Sequence, residues 1–139
     1  MKITKDFSRH EFLTSRFFTD EETEKVQASY SENSFNLAVN MLELANNLQV
    51  LRDHFNSAVS INIAYRPRWY ELDRGRKGTS RHVDLIAADI VVKGHSPKEV
   101  ADAIEQLIDS GEMKEGGIGR YNTFTHYDIR GTKARWGAN

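Results

Sequence analysis

The 139-residue chain contains no cysteine. Disulfides, thiolate metal ligands and a cysteine nucleophile are excluded together, so any metal site must be built from histidine and carboxylate side chains. Histidine is also scarce, with five in the whole chain. Net charge is nearly absent: 19 Lys and Arg face 20 Asp and Glu, a formal charge of −1. No global field therefore draws the protein onto nucleic acid or a membrane. Long apolar runs are missing too. No stretch approaches the roughly 20 apolar residues that span a bilayer, and the opening MKITKDFSRHEF lacks the apolar core of a secretory signal. Synthesis in the cytoplasm is the expectation. What remains is 39% hydrophobic and 28% charged residues, with seven Phe, five Tyr and two Trp. That supply suits one hydrophobic core, and residues 1–139 read as a single domain without a linker.

Periodicity divides the chain. Ser8 followed by Glu11 fits a capping box and predicts a short helix from Arg9 to Phe17. Asp20 is placed to cap a second helix in the acidic run Glu21 to Ala28. From Ser34 to Phe55, apolar residues recur at three- and four-residue steps, the pattern of a long amphipathic helix. The period then changes to two. Val59 to Tyr65 reads as a strand, ended by Arg66-Pro67, and residues 66–81 form a loop rich in Gly and Arg. A second strand spans Ile86 to Val92, and Ser96-Pro97 starts a helix that Gly111 ends. Ile118 to Tyr121 and Phe124 to Arg130 are further strands, while GTKARWGAN offers only Trp136 to pin the tail. This order predicts an α+β fold with a small, mostly antiparallel sheet.

The candidate chemistry clusters where turns meet strands. One segment holds His82 and Asp89, another holds His126 and Asp128. On a strand, His126, Asp128 and Arg130 share a face, and Tyr127 and Ile129 take the other. His82 and Asp89 are seven apart, so they converge only if His82 sits on the loop before the strand. His10, His54 and His95 read as surface histidines.

Ser80-x-His82-x6-Asp89, with Ala87 two before the aspartate, resembles the SxHxxGxAxD motif of the M15 zinc peptidases. These are the D-Ala-D-Ala carboxypeptidases and phage endolysin endopeptidases that cut cell-wall peptides. The likeness extends to Phe7–Phe12, to Ala64-Tyr65-Arg66, and to Gly117-Ile-Gly-x-Tyr121-x-x-Phe-x-His126-x-Asp128-x-Arg130, all in the family's order. The resemblance implies a Hedgehog/DD-peptidase-like fold, with one zinc on His82, Asp89 and His126. It also implies Arg66 as the group that steadies an oxyanion or holds a substrate carboxylate, and Ser80 as a residue that orients a ligand. Such a site hydrolyses amide bonds of peptidoglycan stem peptides with a metal-activated water, as a D,D-carboxypeptidase or an L,D-endopeptidase. A monomer acting on a peptidoglycan peptide, with no nucleic-acid or membrane partner, is expected, and the small size suits a phage lysis enzyme.

Two positions depart from the family pattern. Thr123 stands three before the last histidine, where many relatives carry a carboxylate, which makes Asp128 the substitute for the proton shuttle. Asp128 could equally orient a neighbour by pairing with Arg66 or Arg130. Leu85 replaces the motif glycine, and either changes that turn or narrows the site. The alternative to an enzyme is an inactive member of the fold, a structural or binding module such as a phage particle component. The Arg66–Arg81 loop carries six basic residues against Glu71 and Asp73. Beside a peptidase cleft it would meet carboxylates of a cell-wall peptide.

Overall fold

The computed structural model describes residues 1–139. Helices α1 (Arg9–Leu13), α2 (Asp20–Glu32) and α3 (Ser34–Phe55) come first, then strand β1 (Val59–Ile63) and the short helix α4 (Arg68–Asp73). A 3₁₀ turn, Arg81–Asp84, leads into β2 (Ala87–Val92); α5 (Pro97–Asp109) and strands β3 (Gly117–Arg120), β4 (Thr125–Asp128) and β5 (Ala134–Gly137) follow. The fold is α+β. Its single sheet has the order β1-β2-β4-β3-β5 and is antiparallel except where β5 runs parallel to β3.

Local chemistry explains the boundaries. The Ser8 amide donates to Glu11 at 2.7 Å, so α1 starts where expected. It ends four residues early, because Thr14 is extended and the Ser15 hydroxyl donates to the Asn62 carbonyl at 2.8 Å. Thr19, not Asp20, caps α2: its hydroxyl accepts from the Glu22 amide while Glu22 accepts from the Thr19 amide. The bounds of α3 match the apolar periodicity at both ends. Part of the loop at 66–81 is helical. α4 forms there because Tyr70 and Glu71 are buried and the Trp69 indole donates to the Ser29 hydroxyl at 2.8 Å.

One face of the sheet is the core. Ala88, Ile90, Ile118 and Tyr127 point into a cluster with Leu44, Leu48 and Leu51 of α3 and Val100 and Ile104 of α5. The Tyr127 hydroxyl, within that cluster, donates to the Lys114 carbonyl at 2.6 Å. Because strand side chains alternate, residues one step away face the other side. Register places Ile63, Asp89, His126, Gly119 and Trp136 side by side across all five strands. That row is the floor of the site. No helix is long and apolar enough to cross a membrane.

Candidate metal centre

Asp89 and His126 are direct cross-strand partners on β2 and β4. Their Cβ atoms are thereby set about 5 Å apart before any side-chain interaction is considered. His82 joins them from the 3₁₀ turn ahead of β2, the loop position that the odd spacing requires. The Ser80 hydroxyl accepts from the His82 amide and so caps that turn. One ligand atom from each of His82, Asp89 and His126 lies within 4.8 Å of the others. Asp89 Oδ1 is 3.3 Å from His82 Nε2 and 3.1 Å from His126 Nδ1. Ligands bound at about 2.0–2.1 Å in a tetrahedral shell lie roughly 3.3 Å apart, so the spacing suits a small divalent ion.

The outer ring nitrogens are held as such a site demands. His82 Nδ1 is 2.8 Å from the Ala64 carbonyl, which only accepts, so the ring proton is on Nδ1. Nε2 therefore points a lone pair at the Asp89 carboxylate. Burial pushes the His82 pKa down, against its interactions with Asp89, and keeps the ring neutral. A lone pair facing a carboxylate is unfavourable unless a cation lies between them. His126 Nε2 is 2.7 Å from Asp128 Oδ2, leaving Nδ1 to face Asp89. Burial alone would lower its pKa, but hydrogen bonds to Asp128 and Asp89 outweigh that and raise it. The Asp89 carboxyl is held far below the usual carboxylate range: burial opposes this, but its hydrogen bond with the His126 ring outweighs it.

Asp128 is fully buried and fully engaged. Its Oδ1 accepts from the Gly117 amide and from the Arg130 amide and Nε; its Oδ2 faces His126 and Arg130 Nη2. These bonds overcome burial and hold its pKa far below normal. Of the two partners expected for Asp128, it is Arg130 that binds it. Arg66 pairs elsewhere. It donates to the Ser80 hydroxyl at 3.2 Å and lies 3.5 Å from Glu71, while its buried Nε has no partner. Burial lowers its pKa despite Glu71 and Asp89 nearby.

Two cavities of about 450 and 440 Å³ meet over this centre and share Arg66, Asp89 and Phe124. Asp89 is the only carboxylate lining either of them. The Peptidase M15 family model matches residues 15–128. The chain belongs to the M15 peptidase family. No curated protein matches it.

Within this M15 fold, both departures from the family motif have a place. Leu85 takes the left-handed conformation that glycine would, φ 58° and ψ 37°, at the end of the 3₁₀ turn. Its side chain is buried in the core and lines neither cavity, so it does not narrow the site. Thr123 sits on the wall of the larger cavity.

Several site residues escaped the sequence reading. Glu71, in a stretch read as loop, is 1% exposed at its side chain and braces Arg66 and Arg76. Trp136, on β5, lies 4.9 Å from the His126 ring, and its indole donates to the Tyr121 hydroxyl at 2.8 Å. Gly117 and Gly119 leave the room that Asp128 and Trp136 occupy. A Cβ at 117 would stand 2.3 Å from Asp128 Oδ2, and one at 119 would stand 2.6 Å from the Trp136 ring. The Gly117-x-Gly119 spacing, which leaves one face of a strand without side chains, was the available signal.

Proposed function

We propose that the protein is a zinc-dependent peptidase that hydrolyses amide bonds in peptides of the bacterial cell wall. The observation that carries this reading is the convergence of three ligand atoms, with the outer nitrogen of each imidazole held by the Ala64 carbonyl or by Asp128. His82, Asp89 and His126 would hold the ion. Zinc bound there supplies a Lewis acid for a carbonyl oxygen and lowers the pKa of a ligated water from about 15.7 to near 7. The Ala64 carbonyl and Asp128 hold the two rings in register. Arg66 lines both cavities beside Asp89 and would bind the oxygen that gains charge during attack. Ser80 ties Arg66 to the turn that carries His82. Trp136 covers His126 and shields that side from water. Asp128 acts in this reading as a positioning residue and not as the proton shuttle, since both of its oxygens are already committed.

One observation favours the second reading, an inactive module that keeps the fold. Neither cavity offers a carboxylate besides Asp89, so no side-chain base stands ready. Incubation with purified cell walls across a range of pH decides between the two. New amino groups released by the zinc-loaded protein, and not by Arg66→Ala, support the peptidase; a zinc-loaded protein that releases none is the module. Wall peptides with free and blocked C-termini separate carboxypeptidase from endopeptidase cleavage.

A further inference from the structure

We infer that a third cavity, formed by residues that flank Arg66 and follow His82, is a binding site for an uncharged sugar ring. This rests on the peptidase reading only in naming the wall glycan as the source of the sugar. The cavity has a volume of about 430 Å³ and shares no lining residue with the two at the metal centre. Tyr65 and Pro67 bracket Arg66, and Val83 and Asp84 follow His82, so the segments that build the metal centre present their neighbours here. Another wall comes from α3. Asn33 at its cap, and Asn36 and Asn40 within it, fall at three- and four-residue steps and so share one face. Asparagine is a poor helix former, because its amide competes with the backbone. Asn33 makes no capping bond, and the inner face of α3 is apolar core, so helix stability does not explain this row.

Tyr65 is 4% exposed and lines the cavity, yet its hydroxyl has no hydrogen-bond partner in the chain. A phenol buried in this way costs free energy that a ligand's acceptor would restore. Burial and the nearby charges of Glu32 and Asp84 push its pKa up to about 12, so the proton stays available to donate. The Asn40 amide donates to the Asp84 carbonyl at 2.9 Å, which leaves its own oxygen free to accept. Asn36 is exposed and bonds to nothing in the chain. Glu32 and Asp84 are in no ion pair, and Arg68 on the same lining offsets one of them. The Trp69 indole is pinned by its bond to Ser29 at 2.8 Å and by edge contact with Tyr70, and with Pro67 it supplies a flat apolar wall.

These groups discriminate between ligand classes. An anion meets two carboxylates. An ammonium group meets Arg68 and the amide N–H groups. An apolar ligand strands the Tyr65 hydroxyl. A pyranose satisfies the whole set: its hydroxyls donate and accept, neighbouring pairs match planar amides and carboxylates, and its C–H face lies on an indole. The volume suits one ring with its immediate linkages.

Titration of the full chain, with equimolar zinc, against the uncharged trimer of N-acetylglucosamine tests this by heteronuclear NMR. Of the two indole N–H signals, that of Trp69 is expected to move and that of Trp136 to stay, with Trp136→Phe assigning them. Tyr65→Phe is expected to weaken the trimer about fivefold, the loss of one neutral hydrogen bond, and Asn36→Ala by a similar factor. Both substitutions remove groups that bond to nothing in the chain, so the fold is not at stake. The inference is overturned if the trimer does not bind, if the Trp136 signal moves in place of that of Trp69, or if both variants bind as the wild type does. Sugar binding by a protein that releases no amino groups from walls keeps this site and sinks the peptidase. Release of amino groups without sugar binding does the reverse.

Discussion

Leu85 shows how one residue can depart from a family motif without damage to the site. A non-glycine residue in the left-handed region carries about 1–2 kcal/mol of strain. Full burial of its side chain returns about 1.5–3 kcal/mol, so the position is self-consistent. Leu85→Gly is expected to lower stability by about 2 kcal/mol, since the cavity left behind outweighs the relief of strain. Chemical denaturation checks this, and a more stable variant would contradict it. Asp128 tests the other departure. If it positions His126, Asp128→Asn weakens zinc binding by about 10–100-fold, the usual loss when the outer partner of a ligating histidine is removed. A proton shuttle would instead leave zinc affinity intact while turnover collapsed. His82, Asp89 and His126 stood out where turns meet strands and in the resemblance to the family motif, and the structure brings them together, while Arg66 entered through the resemblance alone. Glu71 was not. A lone acid in an arginine-rich stretch looks solvated, and only the folding of α4 buries it between Arg66 and Arg76.

Among the elements, strand β3 shows why small residues stand where they do. Gly117 and Gly119 clear space on the site face, one for Asp128 and Arg130, the other for the Trp136 indole delivered by β5. Gly119→Ala would drive its Cβ into that indole, so the ring must leave His126. The emission of Trp136 is expected to shift to the red, with Trp136→Phe as the control that removes it and leaves Trp69; unchanged emission would contradict the packing. Element boundaries were legible where pattern and caps agree, as at Ser34 and Phe55 of α3 and at Ser96-Pro97 before α5. β5 was missed for a physical reason. It is four residues long, parallel, partly exposed and built from Ala-Arg-Trp-Gly, so neither alternation nor β-branched residues mark it. α1 ended early through the contact from Ser15 to Asn62, a partner 47 positions away that no local pattern encodes.

At the scale of the molecule, one sheet separates two tasks. Its inner face binds α3 and α5 into the core, while its outer face carries the row from Ile63 to Trp136 that floors the cleft. The architecture class was readable from the order of periods. The side-by-side row was not, because it depends on the register between strands far apart in sequence. Metal and fold should therefore be coupled, since two of the three ligands lie on paired central strands. Zinc at a hundred times its dissociation constant adds about 2.7 kcal/mol to the folded state, which for a chain of this size raises Tm by roughly 10 °C. A scan with and without zinc reads that shift, and no shift would mean that the ion does not bind the native fold. The most direct test of the central claim is the metal content itself. Elemental analysis of protein equilibrated with zinc and freed of excess is expected to find one ion per chain, with loss in His82→Ala and in His126→Ala. A fully folded wild-type protein that retains no zinc would contradict the account.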